Sequence, residues 1–130
     1  MNDKLDYWIG LADYDIDTAR GMLKIGKYLY VGFMCHQAVE KALKGIIARD
    51  CAEDEIPPKI HNLIRLSEKA ELSDLMSDEQ TKFIDKLNPL NVEARYPEHR
   101  GKIATGLTKE ACVEIIKETE DMLCWIKQQL

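Results

Sequence analysis

The hexapeptide at residues 94–99, ARYPEH, carries Arg95 and His99 with Tyr96, Pro97 and Glu98 between them. A guanidinium holds a phosphate through paired N–H donors, and an imidazole takes or gives a proton near neutral pH. Together they would suit cleavage at a phosphodiester, with Arg95 as phosphate clamp and His99 as general acid/base. In a regular helix an i,i+4 pair shares one face, but a proline at i+2 fits only where a new helix starts. The competing reading pairs Arg95 with an acidic neighbour, Glu93 or Glu98, and leaves His99 a solvated loop residue. Arg95 could then bind a phosphate without cleaving anything, and the Tyr96 hydroxyl could touch the same phosphate.

A second polar group lies in FMCHQAVEKALKGII, residues 33–47. Cys35, His36, Val39, Leu43, Ile46 and Ile47 form one helical stripe, and Glu40 follows His36 by one turn. A histidine on such a stripe is ordinarily buried and hydrogen-bonded to a neighbour. The functional alternative is that His36, Gln37, Glu40, Lys41 and Lys44 line a ligand or partner surface. Lys41 and Lys44 fall off the stripe, where lysines ordinarily form a solvated face. Glu40 and Lys44 make an i,i+4 pair worth about 0.2–0.5 kcal/mol on an exposed helix. His61, just after Pro57 and Pro58, reads as a first-turn helix residue or a cap partner.

Other chemistries fail on spacing. Asp13, Asp15 and Asp17 resemble the start of a calcium loop, but Thr18 stands where the loop needs glycine and Lys24 where it needs glutamate. The four cysteines, at 35, 51, 112 and 124, include no CxxC and have no histidine at finger spacing, so no metal site and no cofactor is expected. Cys35 and Cys112 lie on apolar helical faces and read as buried, reduced thiols. The net charge, 18 − 23 = −5, and a pI near 5.2 argue against a nucleic-acid binder driven by bulk charge, though a local basic cleft could exist.

These residues need elements to hold them. With 130 residues, 45% apolar and 32% charged, the chain matches one globular domain, residues 1–130, with a single core. No apolar run reaches the roughly 20 residues that span a bilayer, so no membrane partner is expected. The beginning, MNDKLDYWIG, lacks the order of a signal peptide, which points to a cytoplasmic protein. Trp8, Leu11, Ala12, Asp15, Ala19, Met22 and Leu23 step in threes and fours, predicting a first helix from residue 2 or 3 to about 25, stopped by Gly26. A second runs over 28–49, followed by an acidic, proline-interrupted loop at 51–59. A third covers about 60–70 with Leu63, Ile64 and Leu66. Ser77 and Gln80 have capping-box spacing, so a fourth starts at Asp78 and turns Phe83, Ile84 and Leu87 inward. A short turn is expected near 91–95, and residues 97–107 read as an exposed loop. Thr108 caps a last helix whose stripe is Cys112, Ile115, Ile116, Thr119, Met122, Leu123 and Ile126. No strand alternation appears. The expected fold is all-α, an up-and-down bundle of four long helices plus a shorter one.

The segment at 33–47 closely resembles the CHQAxEKxLKA-type signature of small prokaryotic HEPN-domain proteins. ADYDIDTARGML at 12–23, HNLIRL at 61–66 and NVEARYP at 91–97 resemble further family segments in order and spacing. The resemblance implies a helical bundle related to the C-terminal domain of kanamycin nucleotidyltransferase, usually homodimeric. Many bacterial members are encoded beside a minimal nucleotidyltransferase, the MNT protein, as a toxin–antitoxin pair. Catalytic members are metal-independent ribonucleases whose motif is an arginine, four to six residues, then a histidine, facing its copy across the dimer. Other members lack the motif and act as partner or binding subunits. Here only three residues separate Arg95 from His99, and one is Pro97. Modification of Tyr96 by a nucleotidyltransferase is the weaker idea, because modified members carry their tyrosine after the motif histidine. The expected function is therefore a dimeric partner subunit of a minimal nucleotidyltransferase, its own catalysis absent or vestigial. The alternatives are a ribonuclease using Arg95 and His99 on RNA, or a stand-alone nucleotide-binding module.

Overall fold

A computed structural model describes residues 3–52, 55–93 and 107–130, with the backbone alone for Val92 and Glu93. The regular structure among the described residues is helical: α1 (Asp3–Lys24), α2 (Tyr28–Arg49), α3 (Leu63–Lys69), α4 (Asp78–Leu87), α5 (Leu90–Glu93) and α6 (Lys109–Gln128), with a 3-10 turn at Ser73–Leu75. The all-α expectation holds. Three of the helices are long, with 22, 22 and 20 residues, and α4 has 10. The third is shorter than the periodicity implies, because Asn62 caps it.

Local chemistry sets the helix ends. Gly26 adopts φ +77°, and the N–H groups of Gly26 and Lys27 donate to the carbonyls of Leu23 and Met22. That is a Schellman closure, in which a left-handed glycine lets the last carbonyls find donors. Asn62 Oδ1 accepts from the N–H groups of Ile64 and Arg65. Ser77 and Gln80 form the capping box in both directions, at 3.1 and 2.9 Å. Thr108 Oγ1 accepts from the Ala111 N–H at 3.1 Å.

Helix α2 is the axle. Val31, Cys35, Ala38, Val39, Ala42, Leu43 and Ile46 are all at most 2% exposed, because α1, α3, α5 and α6 pack around it. Small residues let α1 come close: Ala12 and Ala19 are fully buried, and a Cβ added at Gly45 would sit 3.1 Å from Trp8 Cβ. Helix α6 covers the remaining side with Cys112, Ile115, Ile116, Met122, Leu123 and Ile126. Thr119, fully buried on that stripe, returns its hydroxyl to the Ile115 carbonyl at 2.7 Å, which is how a polar side chain joins an apolar face.

Burial pushes the Cys35 thiol up to about 12 and the Cys112 thiol up to about 11. Cys124 is exposed and Cys51 half-buried. Thiolate, not thiol, is the nucleophile. A thiol reagent at mildly alkaline pH is therefore expected to modify Cys124 and Cys51 in the native protein, and Cys35 and Cys112 only after denaturant is added. Mass mapping of the labelled cysteines checks this. A folded-state value above the unfolded one also fixes a sign. The stabilisation from these two protonated thiols is complete below the unfolded value of about 8.5 and is lost as pH rises through 11 to 12.

Glu71 has φ +60° at the end of α3, where its N–H donates to Glu68 and the Leu72 N–H to Ser67. This is a second Schellman closure, made with a residue that bears the Cβ penalty of the left-handed region. Glu71→Gly is expected to raise stability by up to about 1 kcal/mol and Glu71→Val to lower it, read from urea unfolding midpoints.

Candidate functional site

The polar residues of α2 form two columns. His36, Glu40 and Lys44 recur every fourth residue and so stack along one line of the helix; Gln37 and Lys41 stack beside them. Both columns point into the protein. His36 is fully buried, Glu40 is 2% exposed and Lys44 is 7% exposed. The solvated-face expectation thus fails for Lys44, and Lys41 is only partly exposed.

In the first column the Glu40 carboxylate gathers the donors. Lys44 Nζ donates to Glu40 Oε2 at 3.0 Å, and His61 Nδ1 lies 3.0 and 3.1 Å from the two carboxylate oxygens. A carboxylate only accepts, so His61 Nδ1 carries the proton of that bond. His36 Nδ1 is 3.7 Å from Glu40 Oε1, an ion pair when the ring is protonated. His61 therefore does not start a helix, as its position after the prolines implied. It precedes the cap residue Asn62 and fastens the end of the 51–61 connection to the middle of α2. Lys4 of α1 secures the other end, donating to the carbonyls of Ala52 and Glu55.

The second column joins α2 to α1 and α5. Lys41 Nζ donates to Asp15 Oδ2 and to Gln37 Oε1, each at 3.2 Å. The Gln37 amide then donates to Asn91 Oδ1 at 2.9 Å, a buried bond across 54 residues. Asn91 is 3% exposed and sits in α5, four positions before Arg95. Spacing alone does not single out Asp15, His61 or Asn91 as site residues. One signal for Asp15 is legible: it is a carboxylate inside an otherwise apolar stripe, which requires a buried partner.

Arg95, Tyr96 and His99 lie outside the described residues. What the structure brings together is the binding set of α2, and it brings that set together internally. Each lysine that could meet a phosphate already holds a carboxylate: Lys41 holds Asp15, and Lys44 holds Glu40. Among the described residues no group of three or more His, Cys, Asp or Glu could hold a metal ion. A groove of about 280 Å³ between α4 and α6 has Phe83 and Met122 in its walls with Glu79, Glu118 and Asp121. Its charge opposes phosphate, and none of the candidate residues lines it.

Removing one member of a buried ion cluster strands the others in low dielectric. Glu40→Ala is expected to cost about 3–5 kcal/mol, because Lys44 keeps its charge without a counter-ion. The double variant Glu40→Gln, Lys44→Met should lose less than the sum of the singles. A double-mutant cycle by urea unfolding measures that coupling.

The fold and the geometry can be set beside known proteins. The crystal structure of TT1696 from Thermus thermophilus superposes with a TM-score of 0.80, covering 100% of each chain at 21% identity, which shows a shared fold. No curated protein matches the chain. No helix among the described residues is long and apolar enough to cross a membrane. The HEPN domain model matches residues 5–129, a span that takes in the buried polar columns of α2, and the chain belongs to the HEPN domain family.

Proposed function

We propose that this HEPN protein works as a homodimeric partner subunit of a minimal nucleotidyltransferase in a toxin–antitoxin-type module in the cytoplasm, with its own catalysis absent or vestigial. One observation carries the reading: the polar groups of α2 are engaged inside the fold. Glu40 is held by Lys44 and His61, and Lys41 by Asp15 and Gln37. Groups so engaged hold helices together and offer little to a substrate. The spacing of Arg95 and His99, one residue short of the ribonuclease motif and interrupted by Pro97, supports the same conclusion. For the same reason a stand-alone nucleotide module loses its phosphate contacts at Lys41 and Lys44.

A second reading has an observation of its own. Asn91 is held by Gln37 four positions before Arg95, and a fixed anchor next to a reactive pair is what ribonuclease chemistry would need. Arg95 would then neutralise the scissile phosphate while His99 moves the proton of the ribose 2′-hydroxyl.

Incubating the purified protein with total RNA in a chelator separates the two. The partner reading expects no cleavage above background by wild type or by His99→Ala, and co-purification with a co-expressed minimal nucleotidyltransferase. Chelator-resistant cleavage by wild type that falls about 100-fold or more in His99→Ala would overturn it in favour of the ribonuclease.

A further inference from the structure

The groove between α4 and α6 takes no part in the two polar columns of α2. Its volume is about 280 Å³, and its apolar walls are Phe83 and Met122, core residues that come to the surface there. Two of its polar residues are already engaged. Ser77 Oγ accepts from the Gln80 N–H at 3.1 Å, and Gln80 Oε1 accepts from the Ser77 N–H at 2.9 Å, so both serve the cap of α4. The charge left to meet an occupant is three carboxylates, Glu79 from α4 with Glu118 and Asp121 from α6.

Charge and size select the occupant. Lys86 reaches Glu118 at 3.4 Å and Lys117 reaches Asp121 at 3.6 Å, but neither lysine lines the groove, and such largely exposed pairs hold their carboxylates weakly. Lys82, the remaining cation of α4, does not line it either. The Glu79 carboxylate has no partner among the described residues. The groove therefore favours a cation, and no group of described residues there could hold a metal ion. Pockets for small molecules run from about 300 to 1,000 Å³, so this one falls below them and suits a single long side chain. Arginine fits better than lysine. Its aliphatic stem lies along apolar surface, and its planar guanidinium is weakly hydrated, packs on aromatic rings and presents enough N–H donors for more than one carboxylate. The compact ammonium of lysine holds its water more strongly.

We propose that the groove between α4 and α6 is a docking site for an arginine side chain of a partner protein, its stem on Phe83 and Met122 and its guanidinium shared among Glu79, Glu118 and Asp121. The partner is basic where it meets this chain, whose own net charge is −5. A contact centred on one side chain falls at the weak, transient end of protein interfaces, below about 1,200 Å² in total, so it exchanges quickly. The inference goes beyond the partner-subunit reading and does not rest on it, because its test reads the groove alone and uses neither a nucleotidyltransferase nor RNA.

Amide chemical shifts of the isotope-labelled full chain, titrated with the capped peptide Gly-Leu-Arg-Leu-Gly, test it. Saturable shifts are expected in α4 and α6, centred on Glu79, Phe83, Glu118 and Met122. The double variant Glu118→Gln, Asp121→Asn should weaken binding about tenfold or more. The control Asp3→Asn, Asp6→Asn makes the same change in net charge at exposed positions of α1 and should change it less than about twofold. Circular dichroism confirms that each variant is folded. A peptide with lysine in place of arginine should bind several-fold more weakly, and one with neutral citrulline should not bind. Absence of saturable shifts in α4 and α6 up to the solubility limit of the peptide overturns the proposal. So does equal weakening by the two double variants, which is general charge attraction, or a lysine peptide that binds as tightly as the arginine one. Groove substitutions that shift self-association of the chain while leaving peptide binding unchanged assign the face to a second copy and overturn it as well.

Discussion

A carboxylate buried in the middle of a helix has to be neutralised where it sits, and much of this bundle is arranged to do that for Glu40. The group is 2% exposed, with Lys44 one turn along the same helix and His61 arriving from the connection to α3. Lys44 alone would be a local pair, of the kind that adds little on a surface. Burial changes its weight, because removing either Glu40 or Lys44 leaves the other charge uncompensated in low dielectric. His61 changes its reach, since it ties a segment 21 positions away to the centre of α2.

The same logic runs through the neighbouring column. Asp15 on α1 obliges Lys41 to turn inward, Lys41 orients Gln37, and Gln37 holds Asn91. Together the two columns fix α1, the α3 connection and α5 on α2, while α6 is held by apolar contacts and by exposed ion pairs such as Arg20–Glu120 and Lys127–Asp13. Apolar packing is tolerant of small rotations, whereas hydrogen-bonded charges are not, so these columns determine which rotation of each helix the bundle accepts. A signature dense in polar residues is thereby explained as fold specification. Asn91, held by Gln37, ties α5 into these columns.

Much of the fold is legible from periodicity and capping. The bounds of α2, the capping box at Ser77 and Gln80, and the Thr108 cap follow from residue types within four positions of one another, and the helices begin where those types dictate. The start of α3 falls about three residues later than periodicity suggests, because apolar spacing does not locate a cap; Asn62 does. The site is less legible. Lys44 reads as solvated because its position off the apolar stripe is a property of one helix, while its burial depends on what packs from outside. His61 reads as a local helix residue because its partner lies 21 positions earlier.

The sequence by itself determined what is local in physics: helical class, helix ends, reduced buried thiols, the exclusion of calcium-loop and zinc-finger spacing, and a strong family resemblance. Only the tertiary structure decided which polar residues are inside and whom they meet. Burial of a charge is set by the sum of neighbours from α1, the α3 connection and α5, and no window of sequence contains them all. That is why Glu40 could be singled out from the chain as a site residue, yet its role as the hub joining Lys44 and His61 emerged only when the helices were assembled.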